Sequence, residues 1–134
     1  MKHNVEEYAL LGIPGCVTST DGVHVGWTNC PHQWRHFFTG KEKIPTLAYN
    51  VCVNHSRFIH AVTCGHPGAR NDKTISELDD FLLEIRNDPK YTKYKFQLIN
   101  KSDEWMDELG LWVLADGGYH RYLTYFMCWR KLII

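Results

Sequence analysis

Two aspartates in this sequence stand where a carboxylate needs an explanation. Asp116 ends the apolar run LGLWVLAD at 109–116 and is followed by two glycines, while Asp21 lies in a stretch rich in β-branched residues at 16–25. If these stretches form neighbouring parallel strands, the two carboxylates come close together, and like charges repel unless a cation lies between them. Mg²⁺ or Mn²⁺, which prefers carboxylate oxygens, suits that place. The pattern therefore predicts a divalent-metal site at Asp21 and Asp116, of the kind that activates water in phosphoryl transfer.

Each acidic residue also has a structural explanation that spacing alone leaves open. Asp116 and Asp21 both precede a glycine, and an Asp-Gly pair commonly makes a turn or a kink at a strand end. A carboxylate among apolar strand neighbours, as expected for Asp21, is costly unless it is paired or binds a metal. Asp72 is a third candidate ligand, but it stands directly before a predicted helix, where aspartate is a favoured N-cap. His24 and His120 lie near the candidate ligands and are interpreted as packing or hydrogen-bonding residues.

The elements that must position these residues follow from the apolar periodicity. An apolar stripe that begins at Ile75 predicts one helix at about 73–87, ended by Pro89. The continuous apolar run before Asp116 suits a central strand covered on both faces, as in parallel pairing. The other predicted elements are a helix closed by Gly12, strands at 16–25, 45–54, 56–63 and 93–100, and loops at 26–43 and 64–72. The two middle strands form an antiparallel hairpin with its turn at 54–56. This order predicts an α/β fold with a mixed sheet.

Length and charge limit the class of protein. A chain of 134 residues suits one domain with a buried core. Its formal net charge of zero argues against a strongly basic protein that coats nucleic acid. Between Arg35 and Lys73, however, six basic residues stand against two acidic ones, which indicates either a local basic surface or an ordinary solvated face. Arg35, Lys41 and Lys43 are the predicted phosphate contacts, because contacts to a nucleic-acid backbone need cations.

The cysteines and the apolar tail bear on the compartment, on a zinc site and on a membrane span. Five cysteines at irregular spacing, with no signal peptide before them, fit a reducing compartment. The pairs Cys30-x-His32 and Cys64-x-His66 are half-sites for zinc, but no CxxC pair accompanies them, so buried free thiols are the preferred interpretation. The tail at 122–134 falls short of the roughly 18 apolar residues that span a membrane. We expect neither a membrane nor a small-molecule substrate as a partner.

Four segments in one order resemble a known family. They are GIPGCVTSTDGVHVGW, CPHQWRHFFTGKEKIPTLAYNVCV, AVTCGHPGARNDKTI and VLADGGYH. Together they resemble the DDE-type transposase and nuclease domain of Harbinger-related elements, the plant transposon protein branch of the DDE superfamily endonucleases. The resemblance covers roughly residues 11–120, and several motifs in the same order are far more specific than any one alone. It implies a ribonuclease H-like fold, in which three antiparallel leading strands are joined by a parallel fourth beside the first.

The resemblance also implies a chemistry and the residues for it. Members of the family cleave and transfer DNA strands with divalent metal ions held by an acidic triad. By position, Asp21 matches the first acid and Asp116 matches the aspartate of the family's D-x-G-Y segment, taken as the second acid. Asp72 matches the family's Pro-Gly-x-x-x-Asp aspartate and is kept as an auxiliary metal ligand. DNA as the substrate, a separate DNA-binding protein as a partner and a nuclear location are implied by the family alone.

The sequence departs from the family pattern in two places. The family closes its triad with a glutamate on a helix downstream of D-x-G-Y, and here no acidic residue follows Asp116. The family's DNA-binding region lies upstream of its Gly-x-Pro-Gly motif, and here about ten residues precede that motif. We therefore expect the tail of an upstream helix at 1–12, a DDE endonuclease core at 13–120 and a truncated or divergent tail at 121–134. With two acids, we expect weak metal binding and negligible cleavage.

Two other interpretations remain beside the incomplete nuclease. One is a degenerate or domesticated transposase fragment that acts only as a DNA- or protein-binding module, which the missing late acid favours. The other is an unrelated α/β domain whose Asp-Gly turns match by chance, and a wide separation of Asp21 from Asp116 would favour it.

Overall fold

The stretch that carries Asp21 forms the strand at the centre of the fold. The computed structural model describes residues 1–99, 102–116 and, for the backbone alone, 126–128. The helices are α1 (Lys2–Leu10), α2 (Arg35–Phe38), α3 (Asp72–Glu77), α4 (Asp80–Asn87) and α5 (Pro89–Thr92), and a 3-10 turn (His32–Trp34) leads into α2. The strands are β1 (Cys16–Gly26), β2 (Thr46–Val53), β3 (Ile59–Val62), β4 (His66–Pro67), β5 (Lys95–Ile99), β6 (Trp105–Leu109), β7 (Trp112–Ala115) and β8 (Phe126–Cys128).

The main sheet has the strand order β3-β2-β1-β7-β8, and the short β4 pairs with β2. β1 runs antiparallel to β2, β2 runs antiparallel to β3, and β7 lies parallel to β1 on its other side. This arrangement confirms the predicted mixed α/β sheet, with antiparallel leading strands and a parallel later strand in ribonuclease H-like order. The predicted β2–β3 hairpin is also confirmed, and its turn is held by Asn54, whose Oδ1 accepts a hydrogen bond of 2.8 Å from the Phe58 N–H.

β1 leaves the core halfway along its length. Its first residues are buried, through Thr18 and Thr20, whereas Asp21 and the residues after it are half-buried or exposed. β2 instead alternates between buried and half-buried residues along its whole length, as expected for a strand with one covered face. The Asp21 carboxylate is therefore exposed and not buried, so the expected cost of burying it does not arise.

The single helix predicted at 73–87 is wrong, since the segment forms α3 and α4 with a break between them. Asp79 makes the break by capping α4: its Oδ1 accepts hydrogen bonds from the N–H groups of Phe81 (2.9 Å) and Leu82 (3.2 Å). Leu78, which is three residues after Ile75 and would lie on the same face of a single helix, is 53% exposed, while Ile75 on α3 is buried. The stripe was therefore not one continuous face.

The apolar run 109–116 is likewise two elements. β6 ends at Leu109, and Gly110 turns the chain at φ 95, a conformation that favours glycine, before β7 begins. β6 pairs with β5 in a separate two-stranded sheet, so the strand predicted at 93–100 does not belong to the main sheet. The predicted loop at 26–43 contains the 3-10 turn and α2, and the predicted loop at 64–72 contains β4.

Two hydrophobic clusters hold these elements together. The larger one joins α1, α4 and α5 to the sheet, with Val17, Leu82 and Val113 among its buried members. The smaller one centres on Tyr8 and Trp112 and includes Cys16. Among the described residues, no helix is long and apolar enough to cross a membrane.

The cysteines divide between the core and the surface. Cys16, Cys30 and Cys52 are buried free thiols, as predicted, whereas Cys64 is exposed. Burial raises the pKa of both Cys16 and Cys52 to about 12. The buried thiols therefore stay protonated at neutral pH and behave as small apolar side chains.

Candidate active site

The two main candidate acids follow directly from the pairing of β1 with β7. In that parallel pair Thr20 lies opposite Ala115. Asp21 is the next residue of β1, and Asp116 directly follows the end of β7. Neighbouring strands lie about 4.8 Å apart, so this register brings the two residues to the same end of the sheet, and both are exposed. The two strands are neighbours and parallel, which is the arrangement that the metal site requires. The role of the two acids as metal ligands stays a prediction.

Asp21 is oriented by its own backbone. Its Oδ1 accepts a hydrogen bond of 2.8 Å from the Gly22 N–H. Because Asp21 pairs with Val51 inside the regular β1–β2 ladder, it does not form the strand-ending Asp-Gly kink considered from the sequence. The carboxylate therefore projects from a fixed strand.

Asp72 lies on the opposite face of β1 from Asp21. A Cβ built on Gly22 would lie 2.9 Å from both Cγ and Oδ1 of Asp72, so the Asp72 carboxylate sits on the face from which a side chain at position 22 would project. Successive side chains of a strand leave opposite faces, which separates Asp72 from the Asp21 side chain. The interpretation of Asp72 as a helix cap is wrong, because Asn71 caps α3 by accepting a hydrogen bond from the Lys73 N–H.

The Asp72 carboxylate has two other polar neighbours. Its Oδ2 lies 3.2 Å from Lys41 Nζ, and its Oδ1 lies 3.5 Å from His24 Nε2. The other His24 ring nitrogen, Nδ1, is 3.1 Å from Thr46 Oγ1, so His24 is a hydrogen-bonding residue, as predicted. The structure thus groups Asp72 with Lys41 and His24, and its role as an auxiliary metal ligand stays a prediction. His120 lies outside the described residues.

The three predicted phosphate contacts are all exposed residues in the segment between β1 and β2. Arg35 opens α2, and its Nε donates to the Cys30 carbonyl at 3.3 Å. Lys43 has a left-handed φ of 59. The hydrogen bond to Asp72 raises the pKa of Lys41, and the Asp21 carboxylate adds to the shift in the same direction. Of the three predicted phosphate contacts, Lys41 is therefore the one that forms an ion pair with a candidate acid, Asp72.

A further cation beside this group was missed from the sequence. Arg70 Nη1 donates to His66 Nδ1 at 3.1 Å, and burial followed by the charge of Arg70 lowers the pKa of His66. Arg70 also lines a cleft of about 290 Å³ together with Lys41, His24 and Asp72. Its place in the run of basic residues was the signal that could have identified it.

The described residues offer a limited set of metal ligands. Within 1–99 and 102–116, no group of three or more His, Cys, Asp or Glu side chains is placed to hold a metal ion. Two adjacent carboxylates nevertheless fit Mg²⁺, which proteins bind through one or two carboxylates while water and substrate phosphate supply the other ligands. The hard oxygen donors of Asp21 and Asp116 suit Mg²⁺ or Mn²⁺ better than a softer metal.

A buried polar chain behind β1 was also missed. Asp79 is 2% exposed and Asn50 is 1% exposed, and Asn50 Nδ2 donates to Asp79 Oδ2 at 2.7 Å. Thr20 Oγ1 in turn donates to Asn50 Oδ1 at 3.1 Å. An asparagine on the covered face of a strand was the available sequence signal, because a buried amide needs partners.

Comparison with known proteins adds one finding to this geometry. The family model described as plant transposon protein matches residues 2–131, a span that includes Asp21, Asp72 and Asp116. No curated protein and no solved structure matches the chain.

Proposed function

The chain belongs to the plant transposon protein family, and we propose that it is a transposase-derived DDE-type nuclease domain, related to Harbinger elements, that binds DNA and Mg²⁺ or Mn²⁺. The main support is the β1–β7 register, in which Thr20 pairs with Ala115 directly before Asp21 and Asp116. A nuclear location and a separate DNA-binding partner protein are part of the same proposal, and the resemblance to the DDE family is their basis.

In this function the carboxylates of Asp21 and Asp116 would hold the divalent ions. When bound, the metal ions supply activation of the attacking water or 3′-hydroxyl and stabilise the leaving oxygen. The Gly22 N–H, which donates to Asp21 Oδ1, keeps that carboxylate turned along the strand. Lys41, whose Nζ lies 3.2 Å from Asp72 Oδ2 on the opposite face of β1 from the Asp21 side chain, contacts a DNA phosphate on that face, and Arg35 and Lys43 contact the backbone farther along.

The proposed site has two carboxylates, Asp21 and Asp116, and residues 117–134 contain no further acidic residue. Two carboxylates bind a divalent ion less tightly than three and leave more of its coordination to water and substrate. We therefore expect metal binding to be weak and strand cleavage to be negligible.

Mn²⁺ titration followed by electron paramagnetic resonance tests the metal site. Asp21→Asn keeps an acceptor for the Gly22 N–H but removes the charge. We expect it to weaken Mn²⁺ binding by at least about tenfold, because even changes to residues that only support a metal ligand reduce metal affinity by about that factor. Asp116→Asn should act in the same way. Asp103→Asn is the matched control: Asp103 is exposed and has φ 62, which asparagine tolerates. Equal Mn²⁺ affinity in all four proteins would refute the site.

Plasmid nicking tests the expected lack of cleavage. We expect wild-type protein with Mn²⁺ to nick supercoiled plasmid no faster than Asp21→Asn. Nicking by the wild type that Asp21→Asn abolishes would show that two acids suffice.

A binding module without cleavage is the second candidate function. Large exposed apolar side chains, among them Phe58 (69% exposed), Ile59 (66%) and Trp105 (67%), are the feature that such a module would bury on binding a partner. Sizing chromatography and DNA-binding anisotropy without metal test this candidate. A monomer that binds no DNA would contradict it.

A further inference from the structure

Asp79 is a buried acid with two distinct sets of partners. Its Oδ1 accepts hydrogen bonds from the Phe81 and Leu82 N–H groups at the start of α4, whereas its Oδ2 accepts from Asn50 Nδ2 at 2.7 Å. An N-cap needs only the first set. The second set joins the helix to the middle of β2, 29 residues earlier in the chain.

The link continues to the residue before Asp21. Asn50 Oδ1 accepts a hydrogen bond of 3.1 Å from Thr20 Oγ1, and Thr20 pairs with Ala115 across the β1–β7 ladder. The relay Asp79–Asn50–Thr20 therefore ends at the last paired position before both candidate ligands. Thr20 is 3% exposed, so the relay lies under the sheet while the acids stand in solvent at its end.

Three features indicate that the relay does more than fill the core. Burying a carboxyl group costs free energy unless it is hydrogen-bonded, and the two oxygens of Asp79 are hydrogen-bonded to two different elements, α4 and β2. Asn50 is also tied through its backbone, since its N–H donates to Thr63 Oγ1 at 2.9 Å. In addition, β1 changes from buried to exposed directly after Thr20, so beyond that point the apolar core no longer holds the strand.

We propose that Asp79 is a positioning residue for the candidate metal site: through Asn50 and Thr20 it fixes β1 where Asp21 meets Asp116. The effect on metal affinity rests on the proposed function. The placement of the strand by the relay is independent of it.

Two variants separate the relay from the helix cap. Asp79→Ser keeps a favoured N-cap residue, but serine has a single side-chain oxygen, one carbon closer to the backbone, which cannot cap the helix and also reach Asn50. Thr20→Val removes the hydroxyl at the other end and leaves the cap intact. Asp88→Ser is the matched control, because Asp88 caps α5 by accepting from the Lys90 N–H and the cap bond has no continuation into the sheet.

Mn²⁺ affinity is the first readout. We expect Asp79→Ser and Thr20→Val each to weaken binding about tenfold, as changes behind a metal ligand do, and the double variant to be no weaker than either single one, since both break the same relay. Asp88→Ser should bind as the wild type does. Wild-type affinity in folded Asp79→Ser and Thr20→Val, or fully additive losses in the double variant, would overturn the positioning role.

Amide hydrogen exchange without metal is the second readout, and it decides the matter if wild-type protein binds no Mn²⁺ and the proposed function fails. Faster exchange at the amides of Thr20, Asp21 and Gly22 in both variants, with α4 still protected, supports the placement of the strand by the relay. Faster exchange confined to α4 in Asp79→Ser, with no change in Thr20→Val, shows a helix cap alone and overturns it.

Discussion

Replacing Gly22 by alanine tests how tightly the Asp72 carboxylate is packed against β1. The new Cβ would lie 2.9 Å from Cγ and Oδ1 of Asp72, which is closer than carbon atoms and carboxylate atoms approach in folded proteins. Turning the Asp72 carboxylate away from the new methyl group would lengthen its contacts with Lys41 and His24. Either the carboxylate turns and leaves these neighbours, or the strand shifts.

The expected loss of stability follows from two opposing terms. Forcing a methyl group into a packed contact costs about 1–3 kcal/mol. The same substitution stabilises by about 0.4–1 kcal/mol, because alanine restricts the unfolded chain more than glycine does. The lost contact with Lys41 adds little, since an exposed ion pair contributes about 0–1 kcal/mol. The balance is a decrease of about 1–2 kcal/mol in the free energy of unfolding.

Urea unfolding measures this decrease, and the chain offers an internal control. Gly26→Ala lies on the same strand, but its Cβ would meet nothing closer than Ile44 Cδ1 at 3.9 Å, so its stability should stay unchanged or rise by up to about 1 kcal/mol. In an Asp72→Ala background, Gly22→Ala should behave like Gly26→Ala, because the obstructing atoms are gone. If Gly22→Ala were harmless in the wild type, or equally costly in both backgrounds, the packing of Asp72 against Gly22 would be wrong.

Three further outcomes are expected. In folded protein at pH 8, thiol labelling mapped by mass spectrometry should modify Cys64 and spare Cys16 and Cys52, because only Cys64 of these is exposed; labelling of all three at one rate would contradict the buried placement. Burial raises the pKa of Cys16 from 9.0 to about 12, so above pH 9 the unfolded chain loses this proton first and stability should fall with rising pH, by up to about 1.4 kcal/mol per pH unit. Cys16→Ala should make that fall shallower in urea unfolding between pH 9 and 11, and an unchanged slope would refute the linkage. Lys41→Gln should reduce the slope of log affinity for DNA against log salt by about 1, as the loss of one phosphate contact does; an unchanged slope in fluorescence anisotropy would exclude Lys41 from the interface.

Local pattern was sufficient to locate β1, which carries Asp21, and β7, which precedes Asp116, although it missed the turn at Gly110. The β-branched stretch around Asp21 and the apolar run before Asp116 have the composition of their strands, and the resemblance supplied the pairing between them, which the observed register confirms. The hairpin β2–β3 also follows from local signals, since turn residues separate two alternating runs.

The features that sequence reasoning missed depend on partners far along the chain. The break at Asp79 is stabilised by Asn50, which is 29 residues away. Asp72 looked like a helix cap, yet its neighbour Asn71 takes that place while Asp72 contacts Lys41, 31 residues away. Such contacts are set by tertiary packing, and no local spacing encodes them.

The pairing of β1 with β7 has a consequence for the order in which the protein folds. Trp112 Nε1 donates to the Pro14 carbonyl, a contact between residues 98 apart. β1 and β2 are much closer in sequence, since β1 ends at Gly26 and β2 begins at Thr46. Contacts distant in sequence form slowly, because closing a long loop costs entropy before any contact rewards it. During synthesis β1 and β2 can pair while β1 is still an open sheet edge, with unpaired backbone groups that invite association with other chains. The late arrival of β7 both closes that edge and brings Asp116 to Asp21.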